Sequence, residues 1–463
     1  MIKQSDIQNI FFLGIGGIGM SALARYFHHQ GFPVAGYDRT PSELTRELEQ
    51  EGIIVTYDDD PESVRLAPFS KQHTLVVRTP AVPEESVLYT YLREQGFDIR
   101  KRAEMLGLVT RQMKALCVAG THGKTTTSTM LAHLLYESEI GTNAFLGGIS
   151  MNYGTNLLLD KSSPFVVVEA DEYDRSFHHL TPYMSVVTAV DADHLDIYGT
   201  EEAYREAFAH YTSLISTALV MKQGIALQPK LHKGAKCYTY GVIDGEQTCD
   251  PKPSFYADRI RVNKGQLHFD FHTPTETIAD LQLGVPVWVN IENAVAAMAV
   301  AWLNGVTVNE LRHGIASFKG VLRRFNIHVN TPQVVYVDDY AHHPEEIATS
   351  IDSIRRLYPE RHLIGIFQPH LYTRTRDFAD GFKKVLGTLD ECILLPIYPA
   401  REVPIEGVSS EMLGGQVVEK KDLVAVIKER VADSSKPVVV LTVGAGDIDR
   451  LVPQIKKALN KCK

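Results

Sequence analysis

The sequence predicts an α/β protein of about three domains, each built on a parallel sheet covered by helices. At ~150 residues per domain, the 463 residues correspond to about three domains. Apolar, β-rich runs are repeatedly followed by helical patterns, as in KALCVAG before TTTSTMLAHLLYES, which is typical of βα units. This alternation restarts twice, near 115–119 and near 334–337, so two further domains are expected to begin there.

The composition is that of a globular protein and limits the partners. Hydrophobic residues make up 44% and charged residues 22%, which excludes disordered and collagen-like chains. Lys and Arg number 47 against 56 Asp and Glu, a net charge of -9. A phosphate backbone repels such a chain, so we expect neither nucleic acid nor a membrane surface as partner. Phosphates, if bound, must be held at small local sites.

Targeting signals and cysteines favour the cytoplasm. The start MIKQSDIQNI lacks the basic and apolar regions of a signal peptide, and no apolar run reaches the ~18–20 residues of a membrane span. The five cysteines are scattered, with no CxxC pair. An odd, scattered set argues against a disulfide framework or a zinc site, so a reducing, cytoplasmic location is expected.

A first glycine motif, GIGGIG, follows the strand pattern NIFFL and precedes a helical pattern. Gly14 permits the tight turn, and Gly16 lets the backbone approach a pyrophosphate at the helix N-terminus; Gly17 and Gly19 complete the predicted substrate loop. Asp38 ends the next strand and can bind a ribose diol. The pattern favours an NAD-dependent dehydrogenase at first sight. UDP offers the same two groups, however, and glycines that serve only the turn are the third possibility.

A second glycine motif predicts an ATP site. GTHGKTTT lies between the strand ALCVA and a helical pattern and is a shortened phosphate loop, since the only upstream glycine is three residues before Gly123. Lys124 can neutralise the β- and γ-phosphates, and the Thr125 hydroxyl can bind Mg²⁺. The predicted nucleotide-binding residues here are Gly120, Thr121, His122, Gly123, Lys124, Thr125 and Thr126. A dehydrogenase has no evident need of this second loop, whereas a ligase that joins a nucleotide-linked acid to another molecule can use both.

These motifs together resemble the Mur ligase family. GTHGKTTT is similar to the family's phosphate loop, and further matches follow in the expected order: VVVEADEYDRSF, DADHLDIYG, GVLRRF, VDDYAHHPEEI, FQPHLYTRTRDF, PIYPAREVPIEGVSS and GAGDI. The resemblance implies a Rossmann-like N-terminal domain that binds the UDP substrate, a P-loop ATPase-type central domain and a Rossmann-like C-terminal domain that presents the amino acid. We expect these at 1–106, 107–322 and 323–463.

The resemblance also implies a reaction in peptidoglycan precursor synthesis. An ATP-dependent ligase would join L-alanine to UDP-N-acetylmuramate through an acyl phosphate, with ATP and Mg²⁺ (or Mn²⁺) as cofactors. We expect a monomer or weak homodimer. Three alternatives stay open: a family member that recycles murein peptide onto the same sugar nucleotide, although FQPHLYTRT argues against it, an NAD-dependent dehydrogenase, and a P-loop ATPase that ligates nothing.

The metal site is predicted from strand ends and from the resemblance. Glu169 directly follows three valines, and a carboxylate at the end of a strand beside a phosphate loop is placed to hold Mg²⁺ with Thr125. A solvated acidic turn fits Glu172 and Asp174 better. The resemblance adds His194, in DADHLD, at a second metal site.

The remaining ATP contacts are implied by the family. Asn290 and Asn293 interrupt an apolar helix start, so each needs a partner, and the resemblance places an asparagine here against adenine. The preceding histidine of the family is Val289 in this chain. Arg324, in GVLRRF, resembles an arginine that reaches ATP, and Asp339 resembles the acid that binds the ATP ribose. These two residues imply that the third domain closes on substrate binding.

The amino-acid site is implied to hold His342 and Arg374. A guanidinium can bind the α-carboxylate of alanine through two hydrogen bonds. His342 can assist deprotonation of the amine or only position charge. The family commonly has an arginine after the histidine of FQPH, where this chain has Leu371, so one polar contact is missing or supplied elsewhere.

Overall fold

The computed structural model of the protein describes residues 6–62, 69–191, 195–243, 250–263, 266–400 and 402–460. Over these ranges the strands form three sheets of five, ten and six strands, with helices between them, which confirms the predicted α/β class. Contacts divide the chain into two units. The first comprises Met1–Arg259, Phe269–Gln282 and Glu292–Lys319, and the second comprises Ile260–His268, Leu283–Ile291 and Gly320–Lys463. The three domain bounds derived from the sequence stay predictions.

The five-stranded sheet of the first unit is parallel, in the order β3-β2-β1-β4-β5. Its strands are β1 (Asn9–Leu13), β2 (Val34–Tyr37), β3 (Ile54–Thr56), β4 (Thr74–Arg78) and β5 (Asp98–Lys101). Its helices are α1 (Ile18–His29), α2 (Glu43–Gln50), α3 (Val87–Glu94) and α4 (Arg102–Gln112). All five residues of β1 are buried because helices cover both faces of a parallel sheet. The strand order reverses beside β1, so its carboxyl end is where such a sheet binds ligands.

The ten-stranded sheet of the described residues has the order β15-β14-β13-β12-β11-β10-β6-β9-β7-β8. Its strands are β6 (Lys114–Ala119), β7 (Asn143–Phe145), β8 (Leu157–Leu158), β9 (Phe165–Ala170), β10 (Pro182–Val187), β11 (Ala218–Lys222), β12 (Lys236–Val242), β13 (Phe255–Asn263), β14 (Gln266–His272) and β15 (Thr277–Leu283). Its helices are α5 (Lys124–Tyr136), α6 (Leu195–Tyr198), α7 (Glu201–Ser213), α8 (Trp288–Leu303) and α9 (Val308–Ser317). β6 pairs in parallel with β9 and β10, so the carboxyl ends of all three meet at one edge.

Two local predictions can be compared with the structure. The stretch 223–285 is predicted as a hairpin-bearing excursion within the middle domain; β12–β15 lie there as neighbouring strands and continue the large sheet, since β12 pairs in parallel with β11. The helix predicted over 293–304 begins earlier, at Trp288, and the Asn290 N–H already donates to the Val287 carbonyl. This apolar helix has 16 residues, and no helix in the described part of the chain is long and apolar enough to cross a membrane.

The six-stranded sheet of the second unit has the order β16-β17-β21-β18-β19-β20. Its strands are β16 (Asn326–Asn330), β17 (Val334–Asp339), β18 (His362–Phe367), β19 (Glu391–Leu394), β20 (Gln416–Val417) and β21 (Val438–Val443). Its helices are α10 (Pro344–Leu357), α11 (Tyr372–Asp377), α12 (Ala379–Leu386), α13 (Leu423–Asp433) and α14 (Val452–Leu459). The edge strand β16 runs antiparallel to β17 and precedes the predicted restart. The parallel strands β17, β21 and β18 direct their carboxyl ends to one edge.

Candidate active site

The first glycine loop joins β1 to α1 and is closed by Asp38. Gly14 has φ +83°, which only glycine adopts readily. The Gly16 N–H donates to Asp38 Oδ2 at 2.7 Å, and a Cβ on Gly16 would lie 2.8 Å from that oxygen. Gly17 caps α1, and a Cβ on Gly19 would collide with the Arg102 guanidinium. The loop therefore brings backbone N–H groups and a carboxylate to the helix N-terminus, as an anion-and-ribose site requires.

The phosphate loop joins β6 to α5 at the centre of the large sheet. Gly120 has φ +133° and Gly123 has φ +81°, so both turns depend on glycine. The loop is fixed to β10 and the segment after it: the Thr121 N–H donates to the Ala189 carbonyl at 3.1 Å, and the Thr188 hydroxyl donates to the His122 carbonyl. α5 begins at Lys124, and Thr126 lies half-buried in its first turn. The N–H groups of this turn can bind a phosphate.

Lys124 forms a buried ion pair with Glu172. Its Nζ donates to Glu172 Oε1 at 2.8 Å and to the Gly120 carbonyl at 2.6 Å. Burial disfavours the ammonium, but Glu172 and Glu169 outweigh that penalty and raise the pKa of Lys124. Burial raises the pKa of Glu172 to about 7 despite the lysine. Glu172 is only 2% exposed, so its interpretation as part of a solvated acidic turn is wrong. Sequence patterning could not show this partner, which lies 48 residues away along the chain.

Thr125 and Glu169 lie together in the position predicted for a metal. The Thr125 hydroxyl donates to Glu169 Oε2 at 3.0 Å. A Cβ on Gly147 would collide with that carboxylate, so only glycine allows the backbone to approach Glu169 this closely. A hydroxyl and a carboxylate oxygen at the end of a phosphate loop form a donor set that suits Mg²⁺ or Mn²⁺. Among the described residues no group of three or more His, Cys, Asp or Glu could hold a metal ion. His194 lies outside the described residues.

The two asparagines of α8 are both buried. Asn293 reaches the phosphate loop: its Oδ1 accepts from the Thr127 hydroxyl at 3.2 Å and would lie 2.9 Å from a Cβ on Gly123. Asn290 donates to the Val285 carbonyl at 3.5 Å. Asn293 therefore supports the loop directly, and its adenine contact and that of Asn290 stay predictions.

A cleft of about 330 Å³ in the first unit is lined by Gly17 and Gly19 of the first glycine loop and by Gly147, Glu169 and Asp171. Arg102 also lines the cleft and donates to Asp171 Oδ2 at 2.8 Å; nothing in the sequence marked it as a site residue. A ligand held by the first loop can thus present a group to Glu169 within one cleft.

In the second unit, Arg323 and Asp338 form an ion pair with each other. The Arg323 guanidinium donates to the Gly444 carbonyl at 2.6 Å and to Asp338 Oδ2 at 3.3 Å. Arg324 lies over the Tyr340 ring at 5.1 Å, and Arg323 lies over the same ring at 5.3 Å. Asp339 accepts hydrogen bonds from the Phe325 N–H at 3.2 Å and from the Ser350 hydroxyl, and burial raises its pKa. Arg324 and Asp339 are therefore near neighbours, and their contacts with ATP stay predictions.

His342 and Arg374 lie on either side of a second imidazole, His370. The rings of His342 and His370 are 6.3 Å apart, and Arg374 Nη1 lies 3.3 Å from His370 Nδ1. Burial lowers the pKa of both histidines; with the nearby positive charge of Arg374 it lowers the pKa of His370 to about 4. The His370 ring stacks on Tyr398. Sequence reasoning named FQPH as a motif but missed His370 as a site residue; the signal is its position after β18, whose carboxyl end lies at the same sheet edge as that of β17.

Similarity to known proteins covers almost the whole chain. Family profiles match three stretches: "Mur ligase family, catalytic domain" at 9–114, "Mur ligase middle domain" at 118–301 and "Mur ligase, glutamate ligase domain" at 323–446. The proteins named UDP-N-acetylmuramate–L-alanine ligase from Phocaeicola vulgatus and Parabacteroides distasonis are 54% and 55% identical to it. Those alignments cover 99% of this chain and 99% and 98% of the relatives. The structure of a UDP-N-acetylmuramate–alanine ligase from Thermotoga maritima matches with TM-score 0.80 and 27% identity, over 98% of this chain and 100% of that one.

Proposed function

The chain belongs to the Mur ligase family, and from this premise we propose that it joins L-alanine to UDP-N-acetylmuramate at the expense of ATP. The relatives that carry the name of this reaction align over nearly their whole length. Membership of a ligase family also separates the chain from the dehydrogenases that the first glycine motif suggests. The product would enter peptidoglycan precursor synthesis.

One observation carries the proposal. The first glycine loop and Glu169 line the same cleft of about 330 Å³, and Glu169 accepts a hydrogen bond from the Thr125 hydroxyl at 3.0 Å. A sugar nucleotide whose pyrophosphate lies on the first loop would extend its carboxylate toward the end of the second. This arrangement suits the transfer of a phosphoryl group to that carboxylate. It has no evident use in hydride transfer.

In the first step, a carboxylate oxygen of UDP-N-acetylmuramate attacks the γ-phosphorus of ATP, and the bond to the β,γ-bridging oxygen breaks to release ADP. A free carboxylate is a poor electrophile, and the acyl phosphate formed here supplies a leaving group. The Lys124 ammonium, whose pKa the nearby carboxylates raise, stabilises the negative charge on the transferring group. Backbone N–H groups from Gly120 to Thr126 orient the phosphates.

Thr125 and Glu169 would hold Mg²⁺ (or Mn²⁺), joined by His194 if the family pattern applies. When bound, the ion supplies Lewis-acid stabilisation of phosphate oxygens. The two described ligands are already close, since the Thr125 hydroxyl donates to Glu169 at 3.0 Å. Arg324, Asp339, Asn290 and Asn293 are proposed ATP contacts.

In the second step, the alanine nitrogen attacks the acyl carbon, phosphate leaves, and the nitrogen loses a proton. Arg374 would bind the α-carboxylate of alanine, because a guanidinium offers two parallel N–H groups. His342 can accept the amine proton, since burial lowers its pKa and keeps the imidazole neutral near pH 7. Leu371, at the start of α11, offers no polar group to the amino acid.

The test measures phosphate release with purified protein, ATP, Mg²⁺ and UDP-N-acetylmuramate, with L-Ala, L-Ser, Gly and D-Glu added separately. We expect release that depends on both the sugar nucleotide and L-Ala. Release that needs the peptide L-Ala-γ-D-Glu-meso-diaminopimelate instead would identify a recycling ligase. Release without the sugar nucleotide would identify a plain ATPase, and a change in absorbance at 340 nm with NAD would identify a dehydrogenase. Sedimentation of the same sample tests the proposed monomer or weak homodimer.

A further inference from the structure

A buried asparagine connects the two phosphate-binding halves of the first unit. Asn156, just before β8, is 0% exposed. Its Oδ1 accepts from Arg25 Nη1 at 2.7 Å, and its Nδ2 donates to the Ile18 carbonyl at 2.7 Å and to the Ser21 hydroxyl at 2.9 Å. All three partners are on α1, which belongs to the five-stranded sheet domain. A side chain at the edge of the large sheet thus makes its three hydrogen bonds to the helix that follows the first glycine loop.

On the α1 side, the contact lies directly behind the ligand loop. Ile18 follows the helix cap Gly17 and itself lines the cleft. Arg25 is 5% exposed and is held by two further carboxylates, with Nη2 2.8 Å from Glu47 and Nε 2.9 Å from Glu51. Because the guanidinium is fixed from both sides, α1 cannot shift relative to Asn156 without breaking charge-assisted hydrogen bonds.

On the other side, the backbone of Asn156 leads to the metal pair. The Asn156 carbonyl accepts from the Leu146 N–H at 2.9 Å, and Leu146 precedes Gly147. Gly147 contacts Glu169 so closely that a Cβ would collide with the carboxylate, and Glu169 accepts the hydroxyl of Thr125. A continuous series of contacts therefore runs from Gly17 through Asn156 to Glu169 and Thr125, beside the cleft that the first loop and Glu169 line.

We propose that Asn156 is a positioning residue that sets the spacing between the first glycine loop and the Glu169–Thr125 pair. The inference rests on the proposed function, in which an acid held by one loop attacks a phosphate held by the other. In such a step a displacement of ~1 Å costs about 100-fold in rate, because the reacting atoms must lie at near-attack distance. Ligand binding itself needs no such spacing, since each ligand has its own loop.

The chain offers a matched control for the structural part of this role. Asn143, in β7, is also buried and also makes three side-chain hydrogen bonds. Its Nδ2 donates to the Asp160 and Phe165 carbonyls at 3.0 and 3.2 Å, and its Oδ1 accepts from the Asp160 N–H at 3.0 Å. These bonds stay within the large-sheet part of the unit. Asn143→Ala and Asn156→Ala thus remove the same number of buried bonds, but only the second removes bonds to α1.

The experiment compares both variants by circular dichroism, by KM for ATP and for UDP-N-acetylmuramate, by kcat, and by the ratio of ATP consumed to ligated product. For Asn156→Ala we expect both KM values within about threefold of wild type, kcat reduced about 10- to 100-fold, and excess ATP consumed by water attack. For Asn143→Ala we expect a similar loss of Tm with kcat and coupling unchanged. Equal kcat and coupling ratios in the two variants would overturn the proposal.

A second variant keeps the test decisive if Asn156→Ala does not fold. Arg25→Lys retains the positive charge for Glu47 and Glu51 but loses the fork that also reaches Asn156. We expect a smaller fall in kcat with excess ATP consumption, and wild-type kcat and coupling in this variant would overturn the proposal. A wild-type protein that shows no sugar-dependent phosphate release would instead overturn the proposed function, so the two failures are distinguishable.

Discussion

Two clusters of candidate side chains, one in each unit, differ in their charges. The lysine–carboxylate cluster, formed by Lys124, Thr125, Glu169 and Glu172, has one cation among acids, and its lysine is held charged. The arginine–histidine cluster, formed by Arg324, His342, His370 and Arg374, has cations around two imidazoles, and its histidines are held neutral. Each sign follows from burial and neighbours.

The difference indicates which part of the reaction each cluster can support. A fixed ammonium beside a hydroxyl–carboxylate pair suits a metal–nucleotide complex, since a carboxylate can bind the metal and an ammonium can bind phosphate. Guanidinium groups beside neutral imidazoles suit an amino acid, because one group binds a carboxylate and another can accept a proton from an amine. Substitutions in the two clusters should therefore affect different kinetic parameters.

The largest effect is expected for Lys124→Ala. Removing the cation that stabilises the transferring phosphoryl group should lower kcat about 10²- to 10³-fold, as loss of a single transition-state donor does elsewhere. The measurement is steady-state phosphate release with L-Ala and the sugar nucleotide. Lys114→Ala is the control, because Lys114 lies at the opposite end of β6, against the Phe165 and Tyr183 rings. Full activity in Lys124→Ala would show that the lysine–carboxylate cluster takes no part in the reaction.

Stability separates the two roles of this lysine. Lys124→Ala leaves Glu172 buried without its cation. Because the pKa of this carboxyl is already about 7, it must take up a proton, and the free energy of unfolding at pH 8 should fall by about 1–3 kcal/mol. Adding Glu172→Gln should recover most of the Tm, because a neutral amide is cheaper to bury, while kcat stays low. Recovery of activity together with Tm would mean that Lys124 acts only through folding.

The next largest effect is expected for Glu169→Gln. An amide oxygen is a weaker ligand for Mg²⁺ than a carboxylate, so the Mg²⁺ concentration for half-maximal activity should rise about 10- to 100-fold. Titration of activity with Mg²⁺ and with Mn²⁺ measures this shift. The control is Asp174→Asn in the same acidic segment, where φ is +50° and asparagine is tolerated. An unchanged Mg²⁺ requirement would contradict the metal role of Glu169.

The same residues also indicate what the sequence could predict. Glu169 lies at the carboxyl end of the buried strand β9, and Lys124 and Thr125 follow the loop after β6. They were predictable because the carboxyl ends of these parallel strands meet at one edge of the sheet. Glu172 and Asn156 were not, because both act through partners distant in sequence, 48 residues away for Glu172 and 131 for the Arg25–Asn156 bond. A local acidic or polar pattern is the same whether its side chains are solvated or buried. The same limit applies to β12–β15, whose joining of the large sheet no local pattern encodes.

A smaller effect is expected for Arg374→Lys, in the arginine–histidine cluster. A lysine keeps the charge but loses the two-pronged geometry, so KM for L-Ala should rise about tenfold with KM for ATP unchanged. Arg376→Lys is the matched control on the same helix, since Arg376 is exposed and pairs with its neighbour Asp377 at 2.7 Å. A rise in KM for ATP, or equal effects of the two variants, would contradict the proposal that this cluster binds the amino acid.

The smallest effect concerns pH and tests whether the histidines are neutral. With the pKa of His370 lowered to about 4, its imidazole carries almost no charge from pH 6 to 8. The ratio of kcat/KM for L-Ala between wild type and His370→Gln should therefore change less than about twofold across that range. An inflection near pH 6.5 that the variant lacks would show a titrating imidazole. Stability gives an independent sign. Because the unfolded chain binds the proton first, wild type should lose Tm relative to His370→Gln as the pH falls below about 6.5.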